Sequence, residues 1–179
     1  GGSSNAAATM IALNKLNNLN LKRNQLQKIA IDLGSDVPFF LDGKIQKVTG
    51  KGEYLKKIKG NSNFDDLKFL IIIPPFQIST KWAYTEIKNY LEPNNKRSKF
   101  PPLDKRVDWK LFENDFELVV QSAYPEIKNI KHTMYSNGAL FSSLSGSGST
   151  MFGIYNDIKF VKKTQNKLKH YKTFIASPI

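Results

Sequence analysis

Residues 69–75, Phe-Leu-Ile-Ile-Ile-Pro-Pro, form the longest strongly apolar run in the chain. Seven residues fall far short of the roughly 20 that a membrane-spanning helix requires. Two prolines close the run and stop any helix from continuing through it. Its isoleucines favour extended backbone, so Lys68–Ile73 reads as a buried strand. A buried strand needs a sheet and covering layers, and the remaining periodicities supply candidates for both.

Apolar residues at helical spacing predict helices over residues 4–20, 23–33, 80–91, 109–121, 125–136 and 159–169. In the first, Ala6, Ala7 and Ala8 are strong helix formers, and Met10, Leu13, Leu16 and Leu19 recur down one side. In the second, Leu26, Ile29, Ala30 and Leu33 share a face, and Gly34 stands where a helix stop is expected. Residues 44–49, 139–144, 150–155 and 173–176 read as further strands. The polar stretch 53–66, with Gly60-Asn61-Ser62-Asn63, is the candidate domain boundary, giving domains over residues 1–64 and 65–179. Residues 92–106 read as a long loop rich in Pro, Asn and Lys. Strands and helices alternate without a repeated βα unit, so the fold class is α+β.

Composition excludes several classes. With 12 Phe, 7 Tyr and 2 Trp among 179 residues, the chain can build a core, which argues against disorder. With no Cys there is no disulfide framework and no thiolate chemistry. The formal charge of +12 raises the question of nucleic acid. However, the lysines are scattered, only three arginines occur, and no basic stripe alternates with aromatics. The charge reads as solvated faces, and its field would favour an anionic small substrate.

Three segments could carry chemistry. The chain opens on Gly1-Gly2-Ser3-Ser4-Asn5 without methionine, so the expectation is that it begins inside a motif; an expression-tag scar would look alike. Glycines and serines at a helix start offer backbone N–H groups and a positive dipole end to phosphate, or only cap the helix. The absence of Gly-Lys-Ser/Thr excludes a Walker-type loop. In Leu33-Gly34-Ser35-Asp36-Val37-Pro38-Phe39-Phe40-Leu41, a carboxylate sits among apolar residues. Asp36 either serves as a general base held away from water or caps a short helix entered through Pro38. Leu144-Ser145-Gly146-Ser147-Gly148-Ser149-Thr150 joins two apolar strands. It reads as an anion-binding nest or as a plain hairpin loop with glycines at positive φ.

Together these segments resemble the GHMP kinase superfamily, which includes galactose, homoserine and mevalonate kinases. Residues 1–7 are similar to the end of its glycine-rich ATP loop, and residues 145–150 to its third motif. The form Leu-Gly-Ser-Asp-Val-Pro-Phe-Phe, followed by Gly50-Lys51-Gly52-Glu53, resembles the branch that acts on a cytidyl-diphosphate alcohol. The segments Ile78-Ser79-Thr80-Lys81-Trp82-Ala83-Tyr84 and Asn114-Asp115-Phe116-Glu117 agree, in the same order along the chain.

The resemblance implies the end of a ribosomal-protein-like amino-terminal domain followed by a ferredoxin-like α+β domain. It implies ATP and Mg2+ as cofactors, with phosphoryl transfer to the 2-hydroxyl of the alcohol. Gly1, Gly2, Ser3 and Ser4 would cradle the ATP phosphates, with Ser147 and Gly148 supporting that loop. Asp36 would take the proton, Thr80 and Tyr84 would line the cytidine pocket, and no residue is named as a metal ligand. The expected partners are the small substrate and ATP, with no nucleic acid and no membrane. The expected state is a monomer or homodimer, in the cytoplasm or a plastid stroma. The superfamily's first motif, with a Lys and a Tyr-His pair, has no counterpart here. The expectation is that this chain is a fragment that would not turn over alone. The alternatives are another kinase of the superfamily, of homoserine or mevalonate type, and a basic RNA-binding domain without enzymatic activity.

Overall fold

The computed structural model describes residues 2–43, 46–50, 54–57, 64, 66–90 and 107–178. The chain divides into two compact units, Gly1–Gly60 and Asn61–Ile179.

The first unit contains α1 (Gly2–Leu16), α2 (Arg23–Leu33), α3 (Val37–Asp42), β1 (Gln46–Thr49) and β2 (Tyr54–Lys57). Ala7, Leu26, Ala30, Val37 and Leu41 form its buried cluster, with Ala6, Met10 and Leu21 packed against it. The two buried alanines leave room for the helices to approach closely. The helix α1 stops four residues before the expected end. Asn14 accounts for the stop: its side chain accepts from the Leu21 amide at 3.0 Å and donates to the Leu21 carbonyl at 3.2 Å, turning the chain back. Asn18 and Asn20 adopt φ of 49° and 54°, which asparagine tolerates better than most residues. The spacing of Leu13, Leu16 and Leu19 is therefore only partly helical, and all three are exposed.

The strand β1 pairs antiparallel with β2, Gln46 opposite Lys57 and Thr49 opposite Tyr54. The sequence reading places Tyr54–Lys57 inside the polar boundary stretch, yet it forms a strand. A two-stranded ribbon with solvent on its polar positions shows little alternation to detect. Asp42, at the end of α3, accepts from Arg23 at 2.8 Å and Lys57 at 3.3 Å, tying α2 and β2 to α3.

The second unit runs β3 (Lys68–Ile73), α4 (Thr80–Lys88), a 3-10 turn (Trp109–Leu111), α5 (Phe116–Ala123), α6 (Pro125–Ser136), β4 (Phe141–Leu144), β5 (Met151–Tyr155), α7 (Ile158–Lys167) and β6 (Lys172–Ala176). Its sheet has the order β4-β5-β3-β6, with every neighbouring pair antiparallel. Helical segments cross between β3 and β4 and again between β5 and β6. This is the β-α-β-β-α-β arrangement of ferredoxin-like domains, as the resemblance implies. Leu70 and Ile72 face the helices and are fully buried with Val120, Ile127, Ile130, Met134, Met151 and Val161.

The single helix expected over residues 109–121 is two elements. Trp109 and Phe112 pack with Phe141, Phe152 and Ile154 in one cluster, whereas Val119 and Val120 belong to the main core. The chain must break to serve both. It restarts where the Asn114 side chain accepts from the Phe116 amide at 3.0 Å.

Candidate active site

In the first unit, Gly2, Ser3 and Ser4 form the opening turn of α1; Gly1 lies outside the described residues. The first amides of any helix lack intrahelical acceptors. No acidic side chain sits in this turn to neutralise the positive end of the helix. A side chain built at Gly2 would meet nothing within 4 Å. One turn further on, Ala7 shares the buried cluster with Val37, the first residue of α3. Asp36 immediately precedes Val37. Its backbone is in the right-handed helical region and its carboxylate makes no capping bond to the α3 amides. The side chain is exposed. The cap that the sequence leaves open as a role for Asp36 is not formed.

In the second unit, the loop between β4 and β5 is closed at its base by the Ser145 amide donating to the Thr150 carbonyl at 2.8 Å. The Gly148 amide donates to the Ser145 carbonyl at 3.2 Å. Gly146 and Gly148 have φ of 62° and 92°, the left-handed region that favours glycine. The Ser149 hydroxyl donates to the Phe76 carbonyl. Thr80, the first residue of α4, reaches the same loop: its Oγ1 lies 3.1 Å from Ser147 Oγ, and either hydroxyl can donate. Ser79 caps α4 by accepting from the Trp82 amide at 3.3 Å. Tyr84 follows Thr80 by one turn on the same face of α4. Its ring stands edge-on to Phe116, with centroids 4.9 Å apart at 81°, and is 56% exposed. The structure thus brings Thr80 and Ser147 together, with Tyr84 on the Thr80 face.

Among the described residues, no group of three or more His, Asp or Glu side chains could hold a metal ion, and no helix is long and apolar enough to cross a membrane.

The family description "GHMP kinases N terminal domain" matches residues 1–44, and "GHMP kinases C terminal" matches residues 101–171. The chain belongs to the GHMP kinases. One relative of this GHMP kinase chain is the 4-diphosphocytidyl-2-C-methyl-D-erythritol kinase of Caldanaerobacter subterraneus, 38% identical over 98% of the chain and 62% of the relative. The enzyme of the same name from Prochlorococcus marinus is also 38% identical, over 93% of the chain and 58% of the relative. The chain therefore spans less than two thirds of the length of these relatives. Among solved structures, a 4-(cytidine 5'-diphospho)-2C-methyl-D-erythritol kinase superposes with a TM-score of 0.70 at 26% identity, covering 98% of this chain and 63% of that one. The homoserine kinase of Cytophaga hutchinsonii superposes at 0.67 with 17% identity, covering 97% and 62%, a likeness of fold alone.

The GHMP kinase loop has supports to which sequence reasoning assigns no role. Asn114 donates to the carbonyls of Leu144 at 3.1 Å and Gly146 at 2.9 Å. Glu117 accepts from the Leu144 amide at 3.0 Å. The available signal is an Asn-Asp pair before an apolar helix with Glu in its first turn. That pattern announces a helix start and says nothing of a reach to a loop some 30 residues away.

Proposed function

We propose that the gene product carrying this chain transfers the γ-phosphoryl group of ATP to the 2-hydroxyl of 4-diphosphocytidyl-2-C-methyl-D-erythritol, a step of non-mevalonate isoprenoid precursor synthesis. The names and 38% identities of the relatives support the substrate. The observation that carries the reading is the Thr80–Ser147 contact. The residue assigned to the cytidine side and the residue assigned to the phosphate side lie 67 positions apart in sequence and touch.

The roles follow from what phosphoryl transfer demands, which is in-line positioning and stabilisation of charge on the moving oxygens. The first amides of α1, with the Gly1, Gly2, Ser3 and Ser4 segment, hold ATP phosphates at the positive helix end. Asp36, whose carboxylate the helix leaves unengaged, accepts the proton of the attacking 2-hydroxyl. That oxygen forms the new bond to the γ-phosphorus as the bridging bond to ADP breaks. Thr80 offers a hydroxyl, and Tyr84 an exposed ring on which a pyrimidine can stack. Ser147 and Gly148 belong to a glycine-rich turn whose backbone amides can meet an anion. Magnesium bound with the nucleotide would supply charge neutralisation.

The test supplies the gene product with γ-labelled ATP and equal concentrations of the cytidyl-diphosphate alcohol, homoserine and mevalonate. Label is expected on the first alone. Asp36→Asn is expected to lower kcat by roughly a hundredfold or more with an unchanged circular dichroism spectrum. Label on homoserine or mevalonate, wild-type turnover by Asp36→Asn, or steeply salt-dependent RNA binding without phosphoryl transfer would overturn the reading.

A further inference from the structure

The start of α5 carries more polar contacts than a helix start needs. Asn114 engages both ends of its amide: Oδ1 accepts from the Phe116 amide, and Nδ2 donates to the Leu144 and Gly146 carbonyls. Glu117 engages both carboxylate oxygens. Oε1 accepts from the Leu144 amide, while Oε2 accepts from Gln121 at 3.1 Å and from Lys131. The Glu117 side chain is only 11% exposed. Leu144 is the last residue of β4, and Gly146 lies within the loop that follows. Both polar groups of the Leu144 backbone, and one of Gly146, are therefore held by a different element.

This arrangement answers a physical problem. Gly146 and Gly148 leave the loop free to sample many backbone conformations. Its own bonds, Ser145 to Thr150 and Gly148 to Ser145, close the base and one turn. They do not fix how the turn is aimed relative to α4. The Asn114–Glu117 turn does so from outside. Through Phe116, which meets the Tyr84 ring edge-on, the same turn also contacts the face of α4 that bears Thr80.

We infer that Asn114 and Glu117 are positioning residues that set the aim of the Ser145–Gly146–Ser147–Gly148 turn and keep it in register with Thr80 and Tyr84. This rests on the phosphotransferase reading above. Neither residue touches the reacting atoms. Their effect passes through the backbone of Leu144 and Gly146.

The experiment pairs steady-state kinetics with amide hydrogen exchange on the intact gene product. Asn114→Ala is expected to speed exchange at Gly146 to Gly148 while β3 and β5 amides keep their wild-type protection. It is expected to lower kcat/KM by on the order of ten- to a hundredfold, the scale expected for misplacing a reacting group by about an ångström. Glu117→Gln retains an acceptor for the Leu144 amide and is expected to keep most activity, whereas Glu117→Ala loses it. A purely structural role would lower thermal stability in all three variants without this Gln-against-Ala split. Should Glu117→Ala fail to fold, Asn114→Ala still decides. Unchanged loop exchange in Asn114→Ala, or faster exchange with wild-type kcat/KM, would sink the inference and leave the kinase reading standing. A wild-type protein that labels no acceptor would remove both.

Discussion

Replacing Gly148 with alanine introduces two penalties that can be separated from those at Gly146. At Gly148 the backbone has φ of 92°, and a new Cβ would lie 3.0 Å from both Ile78 Cδ1 and Leu144 Cδ2. Ile78 is 6% exposed and Leu144 2%, so neither side chain can swing into solvent. Left-handed backbone costs a residue with a Cβ about 1–2 kcal/mol, and overpacking a filled site adds about 1–3 kcal/mol. A total near ~3 kcal/mol lowers the melting temperature of a chain this size by roughly 6–12 °C. Gly146 has a similar backbone, φ of 62°, but nothing within 4 Å of the added methyl. Gly146→Ala should therefore cost only the backbone term, about 1–2 kcal/mol or roughly 2–8 °C. Thermal unfolding followed by circular dichroism compares the two. Equal shifts, or a larger one for Gly146→Ala, would refute the close approach of Gly148 to Ile78 and Leu144.

Asp42 gives the first unit a pH dependence. Burial alone would raise its pKa, but the hydrogen bonds from Arg23 and Lys57 outweigh it and hold the carboxyl below its ordinary value of 3.8. The folded value is depressed, so the stabilisation is complete above the ordinary value and is lost as pH falls through the folded one. Asp42→Asn should flatten the stability profile below about pH 4, measured by urea midpoints across an acid series. Ile72→Ala, at a fully buried position in the sheet centre, should cost about 2–5 kcal/mol by urea unfolding. A cost within the range of a surface substitution would mean that the helices do not cover that strand.

The parts of the fold that were legible in the sequence are those where one physical signal acts alone. Lys68–Ile73 and Arg23–Leu33 stop at a proline pair and at a glycine, and Pro125–Ser136 starts at a proline. The failures come from competing demands on one pattern. Trp109, Phe112, Phe116 and Val119 have helical spacing, but they serve clusters on different sides of the sheet, and no periodicity records which core a residue joins. Leu16 and Leu19 continue the spacing of α1, but Asn14 ends the helix through a bond to Leu21, seven residues on. The candidate site shows the same division. The Gly-Ser loop and the residues of α4 could be picked out by composition and resemblance. That Thr80 touches Ser147, or that Asn114 holds Gly146, depends on how far the chain travels before it returns.

The sheet order has a consequence for the ribosome. The strand β3 is the first of its unit to be synthesised, yet it lies between the two strands made last: Ile72 pairs with Met151 on one side and Thr173 on the other. At about 5–20 residues per second, a nascent Phe-Leu-Ile-Ile-Ile segment waits roughly 4–16 s before its first neighbour, β5, exists. During that interval it is an unpaired apolar strand of the kind chaperones bind. Pairing of β3 is thus complete only when β6 arrives, and deleting Lys172–Ala176 would expose one edge of β3 permanently.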